Sequence, residues 1–282
     1  IFAVTPGSFM PTQLELALEV ATTQCQRWKN RKVRYRPPGE VFNPSCAEVV
    51  RLPERDARSF TREHHYSGSF PAARFCVGLM VKPRLGREYL GGVAVYSVPM
   101  TQSVIPAVIP GLSPSEGIEL GRLVMLDTPE VGVSNAESWF IARAHRMMRH
   151  HLPEIRGVVA YCDPIERRDA SGQLVKRSHT GVIYRASGCI FRGLSSPRTL
   201  LLTPDGQIAS ERALSKLRTG DQGRDYAEAQ LRDRGAPPRR QHETAVDWLQ
   251  RLRADGFLRP LRHPGNLRFC WHWRTPHETA KL

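Results

Sequence analysis

The sequence lacks any apolar run long enough to cross a bilayer, which takes about 20 residues. The most apolar short run, 103–112, contains Pro106 and Pro110 and is expected to form a loop. A secretory signal pattern is also missing. We therefore expect no membrane partner and a cytoplasmic location.

Paired cysteines are missing as well. The 282 residues contain six cysteines, and none of them forms a Cys-x-x-Cys spacing. A disulfide framework or a structural zinc site is therefore not expected. Most of these cysteines lie in apolar runs, where a free thiol behaves as a small core side chain.

Acidic residues are few compared with basic ones. Lys and Arg number 41 and Asp and Glu 27, so the formal net charge is +14. Such an excess favours a polyanionic partner, most often nucleic acid, and the alternative is a solvated cationic surface. The stretch 27–36 has no acidic residue and includes two aromatic ones, a pattern that suits phosphates and stacked bases. The residues predicted to bind nucleic acid are Arg27, Trp28, Lys29, Arg31, Lys32 and Arg34, with Arg143 and Arg146 further along.

Short apolar strands alternate with amphipathic helices along most of the chain. Strands are predicted at 47–52, 74–81, 90–98, 118–126, 157–162, 189–202 and 267–273, and helices at 53–65, 135–152 and 179–186. Three further helical patches fall within the charged stretch 205–262. The pattern predicts an α/β (α+β) fold, a mixed central sheet flanked by helices, with a helical insertion before the last strand. The predicted division is a basic extension (1–44), a core (45–204), the insertion (205–262) and a final strand with a tail (263–282).

Polar side chains end the first core helix. His65, Tyr66 and Ser67 combine an imidazole, a phenol and a hydroxyl, which can exchange protons near neutral pH. Alternatively, the histidine satisfies carbonyls at the helix C-terminus.

A pair of charges lies on the predicted strand 118–126. Glu119 and Arg122 are three residues apart, so a regular strand would place them on opposite faces. A charge on a buried strand is costly unless it is paired. Arg122 is therefore either part of a structural ion pair or an anion-binding group in a site.

Two further signatures stand at element ends. Ser134 and Asn135 open the long helix, where free backbone N–H groups bind anions or acyl oxygens, although an ordinary N-cap accounts for Ser134 alone. Asp163 ends a buried strand, at the end where α/β proteins bind ligands. Its carboxylate could orient an amine or act as a base, and an Asp-Pro turn is the alternative.

The segment 179–186 contributes His179 and Tyr184. At a spacing of five residues they do not share a helix face. A phenol near a strand end can act as an acid toward a leaving group, whereas a core tyrosine is the alternative. His65, Asp163 and His179 also form a candidate iron site.

The order of these signatures resembles the Mom family of phage DNA-modification proteins. The matching motifs span about residues 45–273 and are His65-Tyr66-Ser67, Glu119-Leu-Gly-Arg122-Leu-Val-Met-Leu-Asp127, Ser134-Asn-Ala-Glu-Ser-Trp139, Tyr161-Cys-Asp163-Pro164, His179-Thr-Gly-Val-Ile-Tyr184 and His263-Pro-Gly-Asn266. The resemblance implies a fold related to the GCN5-type N-acyltransferases. It also implies a transferase that converts adenine in double-stranded DNA to N6-(carbamoylmethyl)adenine, which shields phage DNA from restriction in the bacterial host. By position, the residues essential in the family are His65, Tyr66, Arg122, Ser134, Asp163 and Tyr184, with a polar insertion at 165–178.

The segment before the long helix departs from the wider acyltransferase pattern. Those enzymes hold coenzyme A with a loop of the form Arg/Gln-x-x-Gly-x-Gly/Ala, whereas residues 127–134 carry two acids and one glycine. This is a poor cradle for a pyrophosphate. The expected donor is an activated glycine such as glycyl-tRNA, which would make tRNA a second partner, with acetyl-CoA as the alternative. Ser134 and Asn135 are the expected donor-binding residues.

Two other functions fit the same sequence. One is an ordinary N-acyltransferase that acts on another amine, and the other is a non-catalytic, basic DNA-binding protein. If DNA adenine is the target, the base must leave the duplex, because its N6 group is paired inside the helix. Trp139 and Tyr66 are candidates to stack on it.

Overall fold

The computed structural model describes the backbone of residues 25–29 and 32–36, and residues 41–133 and 135–273 in full. The chain divides into two compact units. One, here called the core unit, contains the described residues up to Pro164, His179–Gly193 and those from Leu267 onward. The other, here called the insert unit, contains Ile165–Ser178 and Leu194–Asn266.

The strands are, in chain order, β1 (Cys25–Lys29), β2 (Lys32–Arg36), β3 (Ala47–Arg51), β4 (Ala73–Val81), β5 (Tyr89–Ser97), β6 (Gly117–Met125), β7 (Gly157–Cys162), β8 (Arg167–Arg168), β9 (Leu174–Lys176), β10 (Ile190–Leu194), β11 (Arg198–Leu202), β12 (Arg259–His263) and β13 (Leu267–His272). The α-helices are α1 (Glu54–His64), α2 (Val104–Val108), α3 (Ala136–His151), α4 (Val182–Ala186), α5 (Glu211–Thr219), α6 (Arg224–Arg232) and α7 (Ala245–Ala254). Short 3-10 turns precede β3 and β6, at Pro44–Cys46 and Pro114–Glu116.

The core unit is built on a seven-stranded mixed sheet with the order β10-β13-β7-β6-β5-β4-β3. Strands β3 to β6 form an antiparallel meander, and β13 runs antiparallel to β7. Strands β6 and β7 are parallel and pair only at Gly117–Glu119 with Gly157–Val159. Their pairing ends there, so the sheet opens toward the carboxyl ends of these two strands, where α/β proteins bind ligands.

Helices cover both faces of this sheet. Helix α1 buries Ala57 and Phe60 among side chains of β4, β5 and β6. Helix α3 buries Phe140, Ile141 and Ala144 against the other face. The predicted mixed sheet flanked by helices is therefore confirmed, and most predicted elements agree with the observed ones within a few residues.

The segment 99–116 differs from its prediction as a loop. It contains the short helix α2, whose Ile105 is fully buried, and Ile109 follows it into the same cluster with Val159 and Cys270. The prolines do not prevent this turn of helix because Pro106 lies within its first turn, where a proline is tolerated.

Two other predicted elements are shorter or divided. Helix α4 begins at Val182 rather than at His179, because Gly181 adopts a left-handed conformation with φ 74°. The predicted strand 189–202 is two strands, β10 in the central sheet and β11, which pairs with β12. Gly193, near the end of β10, has a φ of 72°, in the left-handed region that favours glycine.

The insert unit has a core of its own. Helices α5, α6 and α7 pack around Trp248, which is fully buried and donates its indole N–H to the Pro237 carbonyl at 2.8 Å. The ion pair between Glu243 and Arg251, at 2.7 Å, joins the preceding loop to α7. In the part of the chain that the structure describes, no helix has the length and apolar character needed to span a membrane.

Candidate active site

Strand β6 contains a β-bulge at the centre of the candidate site. Val95 of β5 pairs with Arg122, but the next residue, Tyr96, pairs with Leu120, so Gly121 is an extra residue in β6. A bulge shifts the alternation of side chains by one residue. Glu119 and Arg122 therefore lie on the same face, and the expectation that they point to opposite faces was wrong.

Glycine is required at this bulge because the backbone passes close to β5. A Cβ atom at position 121 would collide with the Ser97 Oγ, and it would also lie only 3.2 Å from a ring carbon of Pro71. Ser97 is itself buried, so it has little room to move.

The guanidinium of Arg122 is fixed by hydrogen bonds to the loop that follows α1. Its Nε donates to the Ser69 carbonyl at 3.1 Å, and its Nη2 donates to the Ser69 Oγ at 2.7 Å. A third bond, from Nη1 to the Gly121 carbonyl at 2.5 Å, attaches it to the bulge. Such a fork geometry needs arginine, because a lysine ammonium cannot reproduce it.

A chain of hydroxyl groups leads from Arg122 to His65. The Ser69 Oγ lies 3.0 Å from the Ser67 Oγ, which lies 2.8 Å from the His65 Nδ1. The Ser67 backbone N–H also reaches this Nδ1, at 3.2 Å, and an N–H can only donate. Nδ1 is therefore the acceptor, and a neutral His65 carries its ring proton on Nε2.

His65 is buried and neutral. Its imidazole has a pKa well below the usual value, first because burial disfavours the charged form and then because of the nearby charges of Arg122 and His179. His65 can therefore donate through Nε2 without carrying a charge at neutral pH. The Tyr66 ring lies beside it, with ring centroids 4.3 Å apart.

Tyr184 lies on α4 in an aromatic environment. Its ring is 5.6 Å from Phe269, 5.5 Å from Trp271 and 5.8 Å from His179. Burial raises the pKa of the phenol well above its usual value, with Cys162 and Tyr66 as the next contributions. Tyr184 is therefore a protonated hydrogen-bond donor rather than a base.

The rings of His179 and Tyr184 lie close together, with their centroids 5.8 Å apart. His179 stands before α4, and its Nδ1 accepts the backbone N–H of Gly181 at 3.2 Å. A side chain at position 181 would collide with the Phe269 ring, and the φ of 74° also favours glycine. The glycine of the His179-Thr-Gly181 motif thus places both rings on the same side.

Glu119 and Tyr161 belong to the site although neither was among the predicted catalytic residues. Burial raises the pKa of Glu119, and Arg122 lowers it. Burial likewise raises the pKa of Tyr161 on β7, and Glu119 raises it further. The assumption of a regular strand hid the role of Glu119, and the alternation Val159, Tyr161, Asp163 along β7 was the available signal for Tyr161.

Arg122 is the electrostatic centre of this group. Burial lowers its pKa, whereas Tyr66, Glu119 and Tyr184 raise it. Each of these groups is therefore close enough to influence the guanidinium. We call His65, Tyr66, Glu119, Arg122, His179 and Tyr184 the site cluster.

The remaining predicted site residues lie around this cluster or outside the described residues. Asp163 directly follows β7, and its carbonyl accepts the His179 backbone N–H at 2.9 Å. Asn135 is the N-cap of α3 with φ 66° and makes no side-chain capping bond. Ser134 and Arg31 lie outside the described residues, and of Arg27, Trp28, Lys29, Lys32 and Arg34 only the backbone is described.

The predicted iron site is not assembled. Among residues 41–133 and 135–273, no three His, Cys, Asp or Glu side chains are arranged to hold a metal ion. His65, Asp163 and His179 therefore do not form the expected metal triad. The Nδ1 atoms of both histidines accept backbone N–H groups instead.

The loop before α3 contains the Glu130 carboxylate at the position where the wider acyltransferase pattern has its pyrophosphate-binding loop. The Tyr89 hydroxyl lies 2.7 Å from the Glu130 carboxylate and 2.6 Å from the Thr128 Oγ1. The hydrogen bond from Tyr89 lowers the pKa of Glu130, which is therefore ionised. A negative charge at this loop repels a pyrophosphate, so these residues do not fit coenzyme A.

The exposed face of α3 carries a basic stripe. Arg143 stacks on Trp139 with its guanidinium 3.8 Å from the ring centroid, and Arg149 lies over Trp273 at 4.6 Å. Arg146 is exposed between them. No carboxylate of the described residues forms an ion pair with Arg143, Arg146 or Arg149, so the stripe keeps its full charge.

Comparison with known proteins identifies the family. The model of the Mom protein family matches residues 47–243, well over half of the chain, and this range includes the whole site cluster. No curated protein matches the chain. The chain therefore belongs to the Mom family of phage DNA-modification proteins.

Proposed function

We propose that this chain converts adenine in double-stranded DNA to N6-(carbamoylmethyl)adenine and thereby shields phage DNA from restriction in the bacterial cytoplasm. The observation that carries this proposal is the link from the fixed cation Arg122 through two serines to the neutral, buried His65. This arrangement offers hydrogen-bond donors and a cation to a developing oxyanion, which is what acyl transfer requires.

The proposed reaction has two steps. The adenine N6 attacks the carbonyl carbon of an activated glycine ester, the ester C–O bond breaks, and N6-glycyl-adenine and an alcohol are formed. The free α-amine of the glycyl group then attacks C6 through a five-membered ring, and the original C6–N6 bond breaks. The original N6 becomes the amide nitrogen, so the product N6–CH2–CO–NH2 is an isomer of the intermediate and needs no oxidant or reductant.

Different site residues stabilise the oxyanion and transfer the proton in the first step. Arg122 and the Nε2–H of His65 donate to the developing oxyanion, and Tyr184 adds a phenol donor at the same edge of the sheet. Asp163, directly after β7, takes the proton from N6 and delivers it to the leaving alcohol. In the second step Asp163 moves one proton from the α-amine to the departing amide nitrogen.

The proposed donor is a glycine ester of the glycyl-tRNA type. A tRNA ester provides an activated carbonyl without a pyrophosphate that the Glu130 loop would have to hold. The large positive charge of the chain suits both tRNA and DNA as partners. No step of the proposed reaction passes through coenzyme A.

The basic stripe on α3 is the proposed contact with the DNA backbone. Arg143, Arg146 and Arg149 lie about one helical turn apart along one side of α3, so their guanidinium groups can bind successive phosphates. Because Arg143 covers the Trp139 ring, Tyr66 is the better candidate to stack on the flipped adenine. We further propose that the core unit is of the GCN5-related type, which is supported by the parallel β6 and β7 that separate beside the bulge.

Isotope labelling tests this route. DNA from cells that express the chain in the presence of glycine labelled with nitrogen-15 is digested to nucleosides and fragmented in a mass spectrometer. We expect the label on the nitrogen bonded to C6, because the rearrangement exchanges the two nitrogens. If the nitrogen bonded to C6 carries no more label than it does in unmodified adenine from the same DNA, the original adenine nitrogen has been retained and alkylated directly, which contradicts the rearrangement.

A further inference from the structure

We propose that the insert unit contains a binding pocket for a nucleoside phosphate. A cavity of about 400 Å³ lies between the paired strands β11 and β12 and the helices α5 and α7. This volume is within the range of small-molecule sites. All of its lining residues belong to the insert unit.

The floor of this pocket is apolar. Ala209, Leu214 and Leu258 line it, and the same residues belong to the buried core of the insert unit around Trp248. The pocket is thus a place where this core is open toward solvent. A flat, weakly polar ring placed on this floor would remove apolar surface from water, which is favourable.

The rim of the pocket supplies charge. Arg218 on α5 and Arg253 on α7 both line the cavity and are exposed. The Nε of Arg218 donates to the Leu214 carbonyl at 3.3 Å, which holds its guanidinium against the helix. Arg253 has no carboxylate partner among the described residues.

Two neighbouring guanidinium groups suit a phosphate ligand better than they suit a ligand with a single carboxylate. Arginine binds phosphate oxygens through paired, charge-assisted hydrogen bonds. Thr199 and Glu211 also line the cavity and offer a hydroxyl and a carboxylate to sugar hydroxyls. The interaction between Glu211 and Arg218, at 3.8 Å between exposed side chains, is weak and leaves Arg218 available.

A base on the floor, a sugar beside Thr199 and Glu211, and a phosphate at the two arginines together describe a nucleotide. Its source could be a free nucleotide or the terminal nucleotide of a nucleic acid strand, since the chemistry of recognition is the same. This inference does not depend on the reaction at the site cluster, so the two proposals fail separately.

Calorimetric titration of the full chain tests the pocket. The probes are AMP, adenosine, inorganic phosphate, and a short adenine oligonucleotide with and without a 5′-phosphate. We expect AMP or the 5′-phosphorylated oligonucleotide to bind, and adenosine or phosphate alone to bind at least about tenfold more weakly, because each makes only part of the interactions. Binding of AMP identifies a free nucleotide as the ligand, and binding of the phosphorylated oligonucleotide alone identifies a strand end.

Two variants connect this binding to the pocket. R218Q combined with R253Q should weaken it by about tenfold or more through the loss of charge-assisted hydrogen bonds. T199W should block the pocket from an exposed strand position without disturbing the core. The matched control is R212Q combined with R232Q, which removes the same charge from exposed positions of α5 and α6 outside the pocket. Absence of saturable binding of both nucleotide probes, or equal binding by all three variants, would overturn the proposal.

Discussion

Glu119 and Arg122 lie on one face of strand β6 because Gly121 is inserted between their pairing positions. The bulge brings a carboxylate and a guanidinium beside Tyr66 and Tyr184. Burial lowers the pKa of Arg122, against which both phenols and Glu119 raise it, while burial raises the pKa of Glu119 and Arg122 lowers it. In a regular strand one of the two side chains would point to the opposite face of the sheet, away from the other members of the site cluster. The geometry of the site cluster therefore depends on a single glycine.

Replacing Arg122 tests the oxyanion role. R122Q and R122K should each lower the rate of DNA modification by about 10²- to 10³-fold, the usual effect of removing an oxyanion donor. R122K should be as impaired as R122Q, because a lysine ammonium cannot reproduce the paired hydrogen bonds of the guanidinium to the carbonyl and the Oγ of Ser69. The measurement is the initial rate of formation of the modified nucleoside on a fixed amount of duplex DNA.

The matched control for Arg122 is R84Q, since Arg84 is exposed on the β4–β5 turn. This variant should keep the wild-type rate. Full activity of R122K would show that a point charge suffices and would contradict the fixed-fork account.

The bulge can be tested at Gly121. G121A should destabilise the fold by about 1–3 kcal/mol, because its methyl group is forced into a packed region. Modification should fall further than stability alone explains, since the collision with Ser97 moves the adjacent Arg122. Urea unfolding and the modification rate are measured on the same preparations.

Removal of the obstructing side chain provides the control. S97G in the G121A background should restore part of both the stability and the rate. If G121A proves as active and as stable as the wild type, the close approach of β6 to β5 at Gly121 is not required.

The basic stripe predicts a salt-dependent defect in DNA binding. R143Q, R146Q and R149Q combined should weaken binding to duplex DNA and reduce the slope of log affinity against log salt by about 0.9 for each phosphate that the variant no longer neutralises. The control R55Q, R84Q and R87Q removes the same charge from exposed positions elsewhere in the core unit and should have a smaller effect. Equal effects of the two triple variants would mean that net charge alone governs binding.

The pH dependence of stability should include a contribution from His145. The Nδ1 atom of this buried residue forms a hydrogen bond with the Tyr96 hydroxyl at 2.6 Å. Burial lowers the pKa of its imidazole from 6.5 to about 3. Because the pKa of His145 is lower in the folded chain, the unfolded chain binds a proton at this residue more readily than the folded chain does. The contribution of His145 is therefore fully present above pH 6.5 and is lost as the pH falls toward 3.

Urea unfolding of the wild type and H145L between pH 7 and pH 4 measures this contribution. The stability advantage of the wild type should shrink by at most about 1.4 kcal/mol for each pH unit below 6.5. Y96F retains the histidine and should retain most of the slope. Parallel curves for the wild type and H145L would exclude a titrating role for His145.

The sequence predicted the elements of the core because their signals are local. The continuously apolar strand 157–162 and the amphipathic helix 135–152 are both observed within a residue or two, since each apolar pattern reports burial directly. The charged stretch 205–262 also contains its three predicted helices. What the sequence did not reveal was that Trp248 provides this stretch with a core of its own.

The site was harder to predict because it depends on pairing register. The bulge at Gly121 and the left-handed Gly181 each move a neighbouring side chain to a different face, and neither has a local signature beyond the glycine itself. The chain from Arg122 through Ser69 and Ser67 to His65 joins two segments that are far apart in sequence. Such tertiary interactions do not appear in any periodicity.

The most direct test compares modified DNA from cells that express the wild type and D163A. DNA is digested to nucleosides, and adenosines heavier by one carbamoylmethyl group are sought by mass spectrometry, while DNA binding is measured on the purified proteins. We predict that the wild type yields the heavier adenine and that D163A binds DNA normally but yields none. Unmodified DNA from the wild type, or retained modification by D163A, would contradict the proposed function or the proposed role of Asp163, respectively.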